Sequence, residues 1–243
     1  MAAVAPTVLF LRNEHMATEA LLGEAFTDHG FEVDAFEVVP PARVDSPAVD
    51  VAFPDPAGYD VIVPLGARWP VYDPALRDTW VGSEMALLRD AADAGVALLG
   101  VCFGGQLLAQ TFGGSVTRSP RPEIGWYDVV SERPDIVPGG PWFQWHFDRW
   151  TLPPGATELA RTPNSSQAFV LGRAMGLQFH PEIDTDLLKR WLADDRDGDV
   201  AAAGLDHDQL LTRTTELAND VGTRIRALVA GFLTHVAGHS LPS

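Results

Sequence analysis

Lysine and cysteine are almost absent from this chain: its 243 residues hold one of each, Lys189 and Cys102. A lone cysteine excludes an intrachain disulfide, and with it the small stapled scaffolds. Basic charge is scarce as well. Seventeen lysines and arginines face 33 aspartates and glutamates, a formal net charge of −16. No Lys/Arg cluster offsets the acid, so nucleic-acid binding through phosphate neutralisation is not expected. Apolar runs are short, and none approaches the ~18 residues of a membrane helix. No basic segment followed by a signal-length apolar stretch opens the chain. The expectation is a soluble, cytoplasmic protein without membrane contact. No glycine-rich phosphate loop of the Walker type occurs either, so any ATP-driven step would belong to a separate protein.

What is present is alternation. Val8 to Leu11, Phe31 to Val39, Tyr59 to Leu65 and Val96 to Val101 read as strands. Between and after them lie helix-spaced segments, Met16 to His29, Ser83 (as a cap) to Asp93, and a helix beginning just past Cys102 and reaching Phe112. This pattern predicts an α/β fold with a mostly parallel central sheet flanked by helices, a flavodoxin-like three-layer arrangement. From Ser115 to Gln178 the texture changes. Prolines, glycines and tryptophans separate short alternating stretches such as Trp126 to Val130 and Gln167 to Leu171, which read as additional antiparallel strands. Asp184 to Leu192 reads as a helix. Leu205 to Val236 reads as one long helical region, broken near Gly222, packed on the sheet or forming a homodimer face. The whole, 1–243, is expected to be one domain with a helical extension over about 200–240. Asp195, Asp197 and Asp199 have the spacing of a calcium loop. Val200 stands where that loop needs glycine, and Asp206 where it needs a bidentate glutamate, so a solvated acidic loop without metal is expected. No cofactor is indicated.

The chemistry concentrates in Gly100-Val101-Cys102-Phe103-Gly104-Gly105-Gln106. A buried strand runs directly into a helix, with the cysteine at the joint and small residues around it. That is the pattern of a nucleophile elbow with sulfur in place of hydroxyl. The position puts Cys102 at a helix N-terminus, which favours the thiolate, and aims the backbone N–H of Phe103 at a developing oxyanion. A buried structural cysteine is the bland alternative. A cysteine nucleophile needs a base and a group to orient it. Gln178-Phe179-His180-Pro181-Glu182 offers both. Pro181 pushes His180 toward an extended conformation, in which residues i and i+2 share a face. Glu182 can then hold the imidazole of His180. His146, in Gln144-Trp145-His146-Phe147-Asp148, is the rival histidine, as a site wall or a core residue. Trp126, Trp142, Trp145 and Trp150 are read between core and site wall in the same way.

With these motifs in hand, the chain resembles the class I glutamine amidotransferases, of the stand-alone kind similar to the amidotransferase half of GMP synthase. The resemblance rests on G-x-C-x-G-x-Q at Gly100 to Gln106 and H-P-E at His180 to Glu182. Glu123-Ile124-Gly125-Trp126 and the Trp-His-x-Asp segment at 145–148 support it, over roughly residues 55–190. It implies that Cys102 attacks the side-chain amide of glutamine to give a γ-glutamyl thioester and ammonia. His180 would shuttle the proton, and Glu182 would orient it. Gln106, Trp145, His146 and Phe147 would help hold substrate. One departure stands out. Where the family has Gly-Gly-Pro after the third strand, this chain has Gly66-Ala67-Arg68-Trp69-Pro70. The oxyanion hole is expected to survive, with Ala67 at ordinary φ beside Gly66, and Arg68 reads a substrate carboxylate. Three functions follow: a glutaminase serving a separate ATP-dependent synthetase, a free-standing hydrolase of γ-glutamyl peptides, or a non-catalytic binding protein on the same fold.

Overall fold

The structure, a computed structural model, describes residues 5–239. Five strands form the parallel half of one sheet: β1 (Thr7–Arg12), β2 (Glu32–Glu37), β3 (Val61–Pro64), β4 (Ala97–Val101) and β9 (Ala174–Leu177). The antiparallel half comprises β5 (Ser115–Ser131), β6 (Gly140–Thr151), β7 (Thr157–Arg161) and β8 (Ser166–Leu171). The order across the sheet is β2-β1-β3-β4-β9-β8-β7-β5-β6, so β9 is the hinge strand, parallel to β4 and antiparallel to β8. The expected α/β architecture is therefore observed.

Alternation along the strands explains the three layers. On β1, Val8 and Phe10 join a cluster with Leu22 and Phe26 of α1 (Ala20–Asp28) and with Ile225, Val229 and Phe232 of α7 (His207–His235). Leu9 and Leu11 point the other way. They meet Trp80, Val81 and Leu88 of α3 (Trp80–Asp93) and Leu107 and Leu108 of α4 (Phe103–Thr111). Both faces are covered, which is why β1, β3, β4 and β9 read as continuous apolar runs, whereas β2 at the sheet edge carries three acidic residues and is not buried. A third cluster joins Ile124 and Phe143 to Leu187, Leu188 and Leu192 of α5 (Thr185–Ala193) and to Leu210. The short helices α2 (Pro74–Arg77) and α6 (Asp199–Ala202) complete the chain.

Several boundaries differ from the sequence reading. Helix α3 starts at Trp80, and Ser83 lies inside it, with its hydroxyl donating to the Thr79 carbonyl rather than capping. Helix α7 runs unbroken through Gly222, whose absent side chain faces only the Arg226 guanidinium. Its N-cap is Asp206, whose carboxylate accepts from Asp208 and Gln209 N–H. Helix α1 begins four residues later than the periodicity suggests. The Met16 carbonyl is held by Trp191 Nε1 at 3.0 Å, and residues 14, 16 and 17 line a cleft instead of entering the helix. Strands β5 and β6 are longer than the stretches read from sequence, because their register shift between Arg118 and Glu123 accommodates the two prolines. The aspartates of the acidic stretch are used internally. Asp195 accepts the N–H groups of Asp199 and Val200, and Asp199 accepts from Trp145 Nε1. Among the described residues no group of His, Cys, Asp and Glu is arranged to hold a metal ion, and no helix is long and apolar enough to cross a membrane.

Candidate active site

Cys102 sits at the β4–α4 joint with φ 51° and ψ −107°. A non-glycine residue held there stores strain of about 1–3 kcal/mol, which persists only where the surroundings over-determine it. They do so here by close approach. A Cβ on Gly104 would collide with the Pro64 carbonyl of β3, one on Gly105 would come within 2.5 Å of the Leu177 carbonyl of β9, and one on Gly100 would strike the first turn of α4. The Cys102 N–H is fastened to the Leu177 carbonyl at 2.8 Å. The helix start is thus wedged between two strands, and the thiol is turned out at their C-terminal ends, where open α/β sheets carry their ligands. Its sulfur lies 3.9 Å from the Trp145 carbonyl and 3.8 Å from Gln178 Nε2, which donates to it.

His180 arrives from the adjacent strand. Its N–H donates to the Phe143 carbonyl at 2.8 Å, a single bridge that extends β9 by a few residues past Leu177. Its Nδ1 stands 2.7 Å from Glu182 Oε1; the expected pairing forms, but across a turn at Pro181 and Glu182 instead of along an extended segment. The ring packs edge-on against Trp191 at 4.8 Å. Its Nε2 is buried and has no hydrogen-bond partner among the described residues. Burial opposes protonation of this ring. The Glu182 and Cys102 charges overcome that and push the His180 pKa up to about 10.

Gly66, Ala67 and Arg68 follow β3 along the wall of a cleft of about 620 Å³ that also exposes Cys102, His180 and Gln106. A Cβ on Gly66 would come within 3.3 Å of His180 Cε1 and 3.9 Å of Cys102 Cβ. Neither Gly66 nor Ala67 has positive φ, so the alanine introduces no backbone strain. The N–H groups of Gly66, Ala67 and Phe103 find no protein acceptor among the described residues. Arg68 is occupied. Its Nε donates to Glu14 Oε2 at 2.5 Å and its Nη2 to Asp194 Oδ2 at 2.7 Å. Burial tends to lower its pKa, but the two carboxylates more than compensate.

The remaining residues divide. Gln106 is buried, and its amide donates to Gln178 Oε1 and to the Asp148 carbonyl, so it reaches the sulfur through Gln178. Trp145 and Phe147 line the cleft, with Arg118 over the Phe147 ring at 4.5 Å. His146 also borders the cleft, but both ring nitrogens are bound, Nδ1 to the Asp148 carbonyl and Nε2 to Glu123 Oε2. Glu123 further accepts from Asn164, Ser165 and Gln167. Burial alone would raise its carboxyl; His146 above all, then Thr162 and Asn164, hold it below the usual range. The aromatic cluster splits as well. Trp142 stacks on Phe179 and Trp150 meets Phe169 in the core, Trp126 donates to Thr214 of α7, and Trp145 alone faces the cleft. Sequence reasoning passed over Gln178 and Trp191. Gln178 stood inside the motif that pointed to His180, whereas Trp191 carried no signal beyond its place on an amphipathic helix.

Fold and cleft together define a flavodoxin-like α/β protein of the strand–cysteine–helix type. Within that class, the chain belongs to the class I glutamine amidotransferase family, whose model matches residues 60–195. It is 36% identical over 176 residues to a glutamine-hydrolysing GMP synthase of Aeropyrum pernix, covering 65% of this chain and 31% of that protein. A GMP synthase of Nitrosomonas eutropha is 30% identical over 155 residues, 57% of this chain and 29% of the relative. The chain thus spans about a third of the length of these curated relatives. Among solved structures, a glutamine amidotransferase of Thermotoga maritima superposes with a TM-score of 0.81 at 25% identity, over 95% of this chain and 99% of the other.

Proposed function

We propose that this protein hydrolyses the side-chain amide of glutamine, or of a γ-glutamyl compound, through a Cys102 thioester. One observation carries the reading. The only unsatisfied nitrogen of a buried, carboxylate-backed imidazole, His180 Nε2, shares a cleft wall with a strained cysteine at a helix N-terminus. A high imidazole pKa beside a thiol favours the imidazolium–thiolate pair. The thiolate attacks the amide carbon, and charge develops on the carbonyl oxygen facing the N–H groups of Phe103 and of the Gly66–Ala67 segment. His180 gives its proton to the departing nitrogen, so ammonia or an amine leaves and the thioester remains. Water then attacks the thioester, His180 takes the water proton, and glutamate departs as the sulfur is restored. Glu182 keeps the ring in one orientation throughout. Arg68, tied to Glu14 and Asp194, shapes the cleft mouth and leaves Nη1 and the second Nη2 hydrogen for a substrate carboxylate.

The ammonia would serve an ATP-dependent synthetase, in line with the GMP synthase relatives. A hydrolase of larger γ-glutamyl compounds acting alone is the second reading. The cleft favours it by its extent, running from Cys102 past Trp69 and Tyr72 to Asp197, more surface than a free glutamine covers. Ammonia release by wild type and Cys102→Ala tests the chemistry, and mass spectrometry of acid-quenched enzyme tests the γ-glutamyl adduct on Cys102. Full activity in Cys102→Ala refutes the mechanism. Turnover of γ-glutamyl dipeptides far above glutamine selects the second reading.

A further inference from the structure

Glu84 is a carboxylate that the proposed mechanism leaves without a task. It lies on α3, fully buried, and neither carboxyl oxygen has a hydrogen-bond partner among the described residues. Asn13, equally buried, is the polar side chain that faces it. The Asn13 amide nitrogen donates to the Leu65 carbonyl at 3.0 Å, while the Asn13 Oδ1 has no partner among the described residues. Three buried acceptor atoms without a donor would be costly, about 1–3 kcal/mol each. One proton removes most of that cost.

We infer that Glu84 is held as the neutral carboxylic acid, donating to Asn13 Oδ1, and that this relay sets the direction of the Gly66 N–H. The geometry follows from the peptide unit. The Leu65 carbonyl and the Gly66 N–H belong to one trans peptide, in which C=O and N–H point in opposite directions. The Leu65 N–H is already fixed on the Leu11 carbonyl of β1. Anchoring the Leu65 oxygen on Asn13, away from the cleft, aims the Gly66 N–H into it, beside Cys102 and His180. Burial raises the Glu84 carboxyl to about 8, with Asn13 opposing only weakly. No charged side chain contributes. Along the chain, Arg12 and Glu14 flank Asn13 and pair with Glu19 and Arg68 respectively. Glu84 and Asn13 are positioning residues, since neither reaches the cleft.

This inference rests on the proposed role of the Gly66–Ala67 segment, and its test separates the two. The full chain, carrying ¹³C-labelled glutamate side chains and ¹⁵N-glycine, is titrated by NMR as wild type and as Glu84→Gln. The expected result is one carboxyl resonance that titrates around 8 in wild type and is missing in Glu84→Gln, with the Gly66 amide shifting over the same range only in wild type. A Glu84 carboxyl titrating near 4.5, or a Gly66 amide indifferent to that titration, overturns the inference whatever the activity. Ammonia release from glutamine supplies the second arm. Asn13→Ala and Glu84→Ala are expected to lower kcat by about 10-fold or more with KM nearly unchanged, short of the ~100-fold of losing an oxyanion donor outright. Glu84→Gln, whose amide still donates to Asn13, should restore kcat at pH 7 and lose the decline on the alkaline side. Failure of Glu84→Gln to rescue where Glu84→Ala fails counts against the relay. An inactive wild type with the expected titration leaves the relay standing and removes the hydrolase reading instead.

Discussion

Glu182 presents Oε1 to His180 Nδ1 at 2.7 Å, while its second oxygen has no partner among the described residues and both side chains are almost wholly buried. Among the described residues no other donor competes for that carboxylate, so its charge acts chiefly on the imidazole. Glu182→Gln keeps the shape and removes the charge. By analogy with amide-for-carboxylate exchange in serine triads, kcat should fall by about 100-fold or more, with KM little changed. Steady-state ammonia release from glutamine measures both. A raised KM at unchanged kcat would move Glu182 from orienting the ring to holding substrate.

The same couple sets a pH signature. His180 has its pKa raised from 6.5 to about 10 in the folded protein. Stability from the charged ring is therefore complete below 6.5 and is lost as pH climbs through about 10. Iodoacetamide should label Cys102 rapidly at neutral pH in wild type, where the charged ring stands beside the sulfur. In His180→Ala labelling at the same pH should be slow, as for a thiol without a charged partner. Identical rates for the two proteins would mean that the ring does not activate the sulfur.

Gly66 and Ala67 make opposite predictions although they are neighbours. A methyl group on Gly66 would press on His180 Cε1 at 3.3 Å. Gly66→Ala should push the ring aside by a few tenths of an ångström and lower kcat, by less than the ~100-fold of a 1 Å misplacement. Ala67 has no positive φ to relieve. Ala67→Gly should leave kcat near wild type and lower stability by about 0.4–1 kcal/mol, through greater freedom of the unfolded chain. A gain in rate for Ala67→Gly would show that the alanine distorts the oxyanion segment after all.

These contrasts bear on what the sequence could reveal. The parallel half of the sheet was legible because strands covered on both faces leave unbroken apolar runs, as Val61 to Val63 and Ala97 to Val101 do. The cysteine turn was legible because glycines at 100, 104 and 105 have no reason to cluster except close backbone approach. The His–Glu couple was legible because His180 and Glu182 stand two residues apart, although a turn at Pro181 and Glu182, and not an extended segment, brings them together. The occupation of Arg68 was not, because Glu14 and Asp194 are 54 and 126 positions away in the chain. Neither was the fixing of His146, since its partner Glu123 lies on a neighbouring strand whose register is shifted nearby. Ser83 misled because a serine before an apolar run imitates a cap, whereas the helix had already begun at Trp80, where burial of the indole outweighs a missing cap bond.

Arg68 decides between recognition and architecture. Its side chain is 33% exposed and bridges Glu14, which is nearly buried, to Asp194 at the start of the acidic stretch. Burial already raises the Glu14 carboxyl, with Arg68 as its main opposing charge. Arg68→Ala should therefore push Glu14 further up and leave a poorly solvated carboxylate behind at neutral pH. Breaking a buried pair costs about 3–5 kcal/mol, and partial exposure of the guanidinium reduces this to about 1–2 kcal/mol. The double variant Arg68→Ala with Glu14→Gln should recover much of the loss, because the orphaned charge is gone. Urea denaturation at pH 7 of the two variants and wild type measures this directly. If Arg68 instead binds a substrate carboxylate, Arg68→Ala should raise KM for glutamine by about 10-fold or more, as expected for a lost charged hydrogen bond, and Glu14→Gln should not repair it. Recovery of stability with an unchanged KM assigns the guanidinium to the wall of the cleft.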